Sequence, residues 1–202
     1  MEKDYEKLRQ YLSEKAVEPV YQLIVNHKVQ LVITRQRRTK LGDYRPGLNG
    51  NYPRISLNYN LNPYSFLLTF LHELAHHLVW IKYRNRVSPH GTEWKAALKN
   101  LQKPFLNTDF FPMDILEQLQ PENAPLYAAA SADTNLARIL RKYDPKNNNI
   151  LLETIPENTL FCLADGRRFQ KLGKRRKNYI CRSLDNNRNY IFNPLAEVYL
   201  SD

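Results

Sequence analysis

Residues 62–83 limit the possible folds more than any other segment, because they predict one long helix buried in the centre of a domain. Asn62 is a typical N-cap residue, and Pro63 suits the first helical position. Apolar side chains then cover most of the circumference of the helix, as in helices that are surrounded by core. The one polar stripe consists of Thr69, His72, Glu73 and His76. Burial of this stripe requires that its polar groups be satisfied, and a bound metal ion would satisfy them.

The spacing of His72 and His76 predicts a metal site. Imidazoles four residues apart on a helix project from one face about one turn apart, where both can bind a single zinc ion. Glu73 stands beside them and can take a proton from a metal-bound water. His90 follows in a predicted turn that can fold back onto the helix. Three imidazoles leave the fourth position to water, which favours one catalytic Zn²⁺ ion and hydrolysis of peptide bonds, with Glu73 as the base.

A His-Glu-x-x-His pattern also occurs by chance, and its histidines are then ordinary, partly exposed side chains. The buried helix, its single polar stripe and the third histidine favour the metal site. His77 points well away from the face of His72, so we interpret it as a packing or surface residue. His27 has no partner at ligand spacing. Glu93 is a minor candidate ligand, because a carboxylate in the first turn of a helix is favoured there in any case.

The remaining pattern predicts an α+β chain of two domains, residues 1–146 and 150–202, joined by an asparagine-rich linker at 147–149. In the first domain we expect an amphipathic helix over residues 1–25 that Pro19 interrupts, and a small antiparallel sheet that includes strands at 29–34 and 54–58. Further helices are predicted at 93–101, 113–119 and 134–143. From residue 150 onward, short strands and turns predict a small basic β-meander.

The net charge of +10 and the pI near 9.6 favour a polyanionic partner. The charge is concentrated in the predicted inner loop of the meander, at Arg167, Arg168, Lys171, Lys174, Arg175, Arg176 and Lys177. Two interpretations of these cations stay open, contact with nucleic acid or simple solvation. Phe169, Tyr179, Tyr190 and Phe192 interleave with them, and we interpret these aromatic residues as the core of the meander.

The chain holds two cysteines, Cys162 and Cys181, which form neither a Cys-x-x-Cys pair nor a disulfide framework. The charged N-terminus lacks the apolar stretch of a signal peptide, and no window reaches the length that spans a bilayer. We therefore expect a cytoplasmic protein with no membrane partner.

Four segments carry a family resemblance: TKLGDY at 39–44, ISLN at 55–58, HELAH at 72–76 and HGTEWK at 90–95. Together they resemble the SprT-like domain of zinc metallopeptidases, the group that includes the Spartan protease of DNA–protein crosslink repair. The resemblance implies a zincin-like fold with zinc ligands His72, His76 and His90, and Glu73 as the catalytic base. SprT proteins often add a zinc ribbon with two cysteine pairs, which this chain lacks, so we expect a ribbon-like module held by its apolar strand residues.

Two functional hypotheses follow. In the first, the chain is a zinc metalloendopeptidase that acts on protein or peptide substrates, and its basic module recruits it to DNA. In the alternative, it is a nucleic-acid-binding or regulatory protein whose zinc site is structural or inactive. Under the first hypothesis, the strand at 54–58 could pair with an extended substrate by strand addition.

Overall fold

The computed structural model describes residues 2–37, 40–47, 51–120, 134–145 and 149–200. The chain divides into two compact units, Met1–Pro145 and Lys146–Asp202. Most of the predicted linker at 147–149 lies outside the described residues. Among the described residues, no helix is both long enough and apolar enough to cross a membrane.

The described part of the first unit contains six helices and three strands. In chain order they are α1 (Glu2–Leu8), α2 (Glu14–Asn26), β1 (Gln30–Thr34), β2 (Gly42–Arg45), β3 (Arg54–Asn58), α3 (Pro63–Tyr83), α4 (Thr92–Gln102), α5 (Met113–Leu119) and α6 (Thr134–Arg141). A short 3₁₀ helix, Lys103–Phe105, follows α4.

Helix α3 is the central element of this unit and confirms the predicted buried helix. It begins at Pro63, and the Asn62 side chain caps it by accepting hydrogen bonds from the backbone N–H groups of Tyr64 (3.1 Å) and Ser65 (2.9 Å). Leu71 and Leu74 on this helix are completely buried. Because core side chains surround α3, its polar stripe is held in a fixed place.

The N-terminal segment contains two helices, with the break at residues 9–13 and not at Pro19. Pro19 lies inside α2, where it removes a single backbone hydrogen bond. The buried face of α2, formed by Ala16, Val17 and Val20, offsets that loss through apolar burial.

The sheet of the first unit has the strand order β1-β3-β2. Strand β1 runs parallel to β3 and β2 runs antiparallel to it, so the prediction of an antiparallel sheet is wrong for one of the two pairings. The central strand β3 is hydrogen-bonded on both sides and is buried from Ile55 to Asn58. It therefore has no free edge, and the hypothesis that β3 pairs with a substrate is wrong.

The second unit is a six-stranded sheet with the order β4-β9-β5-β6-β7-β8. Its strands are β4 (Ile150–Leu151), β5 (Leu160–Cys162), β6 (Arg168–Arg175), β7 (Asn178–Ser183), β8 (Asn189–Phe192) and β9 (Glu197–Leu200). Strands β5 to β8 form the predicted meander, and β9 returns to pair with β5. The unit has its own small core, formed by Leu152, Ile155, Phe161, Phe169, Cys181 and Val198.

Candidate metal centre

Three imidazole nitrogens converge at the solvent end of the polar stripe. Helix α3 supplies His72 and His76, whose Nε2 atoms lie 3.3 Å apart. His90 lies in the turn before α4 with a positive φ of 59°, and its Nε2 atom is 3.0 Å from that of His76 and 3.3 Å from that of His72. The turn after α3 therefore brings the third histidine back to the pair on the helix.

This triangle fits a metal ion. Zinc–nitrogen bonds of about 2.0–2.1 Å in tetrahedral geometry hold ligand nitrogens about 3.3 Å apart. A neutral imidazole carries one N–H, so three nitrogens that point at one another cannot all be satisfied by mutual hydrogen bonds, whereas a shared cation satisfies them all. The three histidines could thus hold a metal ion.

Burial keeps the three imidazoles in the form that binds metals. Burial first, and next the neighbouring histidines, lower the pKa of His72 to about 3 and that of His76 to about 4. Burial also lowers the pKa of His90. All three rings are therefore neutral at pH 7, and neutral imidazole is the form that coordinates a cation.

Trp94 forms the apolar support of the cluster. Its ring centroid lies 4.6 Å from that of His72, 5.3 Å from that of His76 and 4.6 Å from that of His90, and its side chain is 1% exposed. The sequence motifs predicted no role for Trp94. The signal for one was its position four residues after His90, just inside the helix that starts at Thr92.

Glu73 lies beside the cluster with only 8% of its surface exposed. Burial, and next the charge of Asp43, raise its pKa to about 7, while the backbone N–H of Tyr44 donates a hydrogen bond to the carboxylate and acts in the opposite direction. The pKa of this carboxyl therefore lies near neutral pH, as in groups that both accept and donate protons.

The other candidate ligands lie outside the cluster. The Nδ1 atom of His77 is 3.2 Å from the Tyr44 hydroxyl, and its Nε2 atom is 3.1 Å from the backbone carbonyl oxygen of His27. His77 is 2% exposed, so it is a buried packing residue. Glu93 lies in the first turn of α4 and is not part of the cluster.

The basic segment of the second unit is mostly strand, with a hairpin turn at Arg176 and Lys177, and it is not an inner loop. Lys171 is 3% exposed, and its Nζ atom donates to the backbone carbonyls of Leu152 (2.9 Å) and Ile155 (2.6 Å). Its inclusion in a nucleic-acid surface is therefore wrong, because its ammonium group is already used inside the unit.

The other six basic residues of this segment are exposed or lie at the strand ends: Arg167, Arg168, Lys174, Arg175, Arg176 and Lys177. Arg167 forms an ion pair with Asp165 at 3.0 Å. Phe169 is buried, and Tyr179 and Phe192 pack against the same core, which confirms the interpretation of these three rings as packing residues. Tyr190 is exposed and does not belong to that core, so its interpretation as a core residue is wrong.

Comparisons with known proteins identify the family of this chain. A sequence profile of the SprT-like family matches residues 2–115, which is more than half of the chain. Protein SprT of Escherichia coli (strain K12) and Protein SprT of Shigella boydii serotype 4 (strain Sb227) are each 35% identical to the chain over 98 residues, which covers 36% of this chain and 59% of each relative. The chain thus spans 59% of the length of these relatives. No solved structure matches the chain. The profile match extends over α1 to the start of α5, including all three histidines and Glu73, and the chain belongs to the SprT-like family.

Proposed function

We propose that this protein is a zinc-dependent endopeptidase with a zincin-like active site. The observation that carries the proposal is the convergence of three neutral imidazoles next to a buried carboxyl, Glu73, whose pKa is near 7. His72, His76 and His90 would hold the ion. The free thiols of Cys162 and Cys181 suit the reducing cytoplasm, which we propose as its compartment.

A bound zinc ion would supply Lewis acidity and an ionisable water at this position. Glu73 would take the proton of the attacking water and return it to the leaving amine, because a carboxyl with a pKa near the working pH exists in both protonation states. The backbone N–H of Tyr44 orients the carboxylate for this transfer. Trp94 keeps the three imidazoles in place and excludes water behind them.

Strand β2, at the edge of the sheet, is the strand we propose to pair with an extended substrate. Backbone groups of an antiparallel strand point alternately towards and away from the partner strand. Because the N–H of Tyr44 donates to Glu73 and not to β3, the backbone groups of Tyr44 and Gly42 face away from β3. The groups that would pair with a peptide are the carbonyl of Tyr44 and the backbone of Gly42, since the N–H of Tyr44 is already used by Glu73. A peptide paired along this edge would pass beside Glu73.

Replacement of Glu73 by glutamine tests the proposal. We expect Glu73→Gln to lower the rate of cleavage of a denatured test protein by at least about 100-fold, the usual contribution of a general base, with zinc content unchanged. Glu93→Gln, the same change outside the cluster, serves as the control and should retain full activity. If the zinc-loaded wild type does not cleave, or if Glu73→Gln cleaves as fast, the alternative of a structural or inactive site is favoured.

A second candidate function is recruitment to nucleic acid by the second unit, and one observation favours it. The strand pairings place Arg168, Arg175 and Arg182 on the same face of the sheet, opposite to the face that carries Phe161 and Phe169. None of the residues in strands β5 to β8 is acidic, and all three arginines are exposed. Guanidinium groups on strands without carboxylates suit phosphates.

A triple variant of the full chain, Arg168→Gln, Arg175→Gln and Arg182→Gln, tests this recruitment by fluorescence anisotropy with a DNA oligonucleotide over a series of salt concentrations. We expect weaker binding and a shallower dependence on salt. The slope of the logarithm of the binding constant against the logarithm of the salt concentration should change by about 0.7–0.9 for each phosphate that is no longer neutralised. The control changes Lys82, Lys99 and Lys103 to glutamine, which removes the same charge from the first unit. Equal effects of the two triple variants would exclude this face.

A further inference from the structure

We infer that Gly42 is a positioning residue for Glu73: the missing side chain at Gly42 creates the space in which the carboxylate is held. This inference rests on the proposed function, because it assigns Gly42 a part in the reaction. Gly42 is the first residue of β2 and is buried. Gly42 is not part of the histidine cluster. An effect of its backbone on substrate pairing would change KM, whereas an effect through Glu73 would change kcat.

The space beside Gly42 is already filled by the active-site helix. A Cβ atom at this position would lie 2.7 Å from Oε1 of Glu73, 2.8 Å from Cγ of Glu73 and 2.7 Å from Cγ2 of Thr69. Real Cβ atoms essentially never approach a heavy atom so closely. The backbone of Gly42 does not have a positive φ, so the need for glycine here is one of space and not of conformation.

Strand β2 cannot easily move away to make room. The guanidinium group of Arg37 donates to Oδ1 of Asn58 (2.8 Å) and to both Oγ and the carbonyl oxygen of Ser56 (3.1 Å each). Asn58 in turn donates from Nδ2 to the carbonyl of Lys40 (2.9 Å) and from its backbone N–H to the carbonyl of Leu41 (3.0 Å). The two residues before Gly42 are thus tied to the central strand.

Thr69 cannot easily move either, because it is 6% exposed and its Oγ1 atom donates to the carbonyl of Ser65 at 2.6 Å. The side chain that can move is that of Glu73, because it has three rotatable bonds. A methyl group at position 42 would therefore displace the carboxylate and strain its hydrogen bond from Tyr44. A misplacement of about 1 Å at a reacting group can cost about 100-fold in rate.

The experiment compares Gly42→Ala with wild type in the full chain, measuring kcat, KM, zinc content and thermal stability. We expect kcat to fall by about 10- to 100-fold, with KM within about twofold and one zinc ion retained per chain. The double variant Gly42→Ala/Thr69→Ser, which removes Cγ2 but keeps the hydroxyl, should recover part of the wild-type kcat. Gly173→Ala is the matched control, because its Cβ would meet nothing closer than 3.6 Å.

A comparison of thermal stability in two backgrounds tests the inference without a measurement of catalysis. The loss of thermal stability caused by Gly42→Ala should be smaller in a Glu73→Ala background, where Oε1 and Cγ of Glu73 no longer fill the space. Equal losses in both backgrounds, or a wild-type kcat in Gly42→Ala, would overturn the inference. If Gly42→Ala does not fold, a folded Gly42→Ala/Glu73→Ala chain supports it and an unfolded one overturns it. Absence of cleavage by the wild type would count only against the proposed function.

Discussion

At the scale of single residues, His76 and His77 show that the direction in which a side chain leaves a helix determines its role. Successive helical residues point about 100° apart. His76 therefore faces the cluster, whereas His77 faces the sheet, where the Tyr44 hydroxyl and the His27 carbonyl take up both of its ring nitrogens. The two adjacent histidines thus have different roles, and replacing each one alone can distinguish these roles.

We expect His90→Ala and His77→Ala to have opposite effects on metal binding and stability. His90→Ala removes a candidate ligand from an exposed turn, so zinc affinity should fall sharply while the apo chain remains folded. His77→Ala should retain one zinc ion but lower the free energy of unfolding by about 1–3 kcal/mol, because the two partly buried partners lose their hydrogen bonds. Zinc titration and urea denaturation of both variants measure this. Unchanged zinc affinity in His90→Ala would reject His90 as a ligand.

At the scale of elements, the start of α3 is fixed by one side chain that serves two parts of the fold. Besides capping α3, Asn62 donates from Nδ2 to the carbonyl of Leu140 (2.9 Å) and to the carboxylate of Asp144 (2.6 Å). The cap therefore also joins the helix that carries His72 and His76 to the segment around α6. Asn62 is 3% exposed, so water cannot replace these bonds.

Asn62→Ala should lower the free energy of unfolding by at least about 1–2 kcal/mol, the cost of losing an N-cap. Ser13→Ala provides the matched control, because Ser13 is the N-cap of α2 but makes no capping hydrogen bond with its side chain. We expect that variant to change stability by no more than about 0.5 kcal/mol, because no capping hydrogen bond is lost. Similar losses in the two variants, measured by urea denaturation, would contradict the role given to Asn62.

The hydrogen bond between α5 and Tyr143, just after α6, predicts a dependence of stability on pH. The Tyr143 hydroxyl donates to Asp114 at 2.7 Å and, together with Lys142, holds the pKa of that carboxyl below its ordinary value of 3.8. A lowered pKa in the folded state stabilises the fold above pH 3.8, and this contribution is lost as the pH falls through the folded-state pKa. The difference in unfolding free energy between wild type and Asp114→Asn should therefore shrink from about pH 6 to about pH 3.

The control for this prediction is Tyr143→Phe, which removes the donor and should give a similar, acid-sensitive difference. Asp114 is partly exposed, with a side-chain accessibility of 34%, so solvent screening keeps the effect modest. A difference that is constant from about pH 6 to about pH 3 would show that the ionised carboxylate does not contribute.

At the scale of the whole molecule, the residues that the structure describes form two hydrophobic cores that share no residue. One core is formed by residues between Leu8 and Leu140, and the other by residues between Leu152 and Val198. A unit with its own core can fold by itself. The candidate metal centre and Glu73 lie entirely within the first unit.

We therefore expect residues 1–145, expressed alone, to fold and to bind one zinc ion with the affinity of the full chain. The second unit buries far fewer apolar residues, so residues 146–202 alone should be only marginally stable. Circular dichroism, thermal denaturation and zinc titration of the two fragments measure this. An unfolded first fragment would show that its core depends on the second unit.

The local features of this protein could be predicted because each depends on residues close together in the chain. The N-cap at Asn62, the helical spacing of His72 and His76 and the turn that brings back His90 are of this kind. The features that were wrong or missed depend on distant contacts. The side chain of Lys171 looked like a surface cation, yet it is buried because two carbonyls from another part of the unit accept its hydrogen bonds.

The sequence by itself determined that a buried helix carries two histidines and a glutamate on one side, since helical geometry is a local property. Only the tertiary structure decided that β3 is the central strand, that β2 presents its edge to Glu73, and that Trp94 supports the imidazoles. It also decided that Gly42 must lack a side chain. These features depend on contacts between segments that are far apart in the sequence, and the packing of the core determines which of these contacts form.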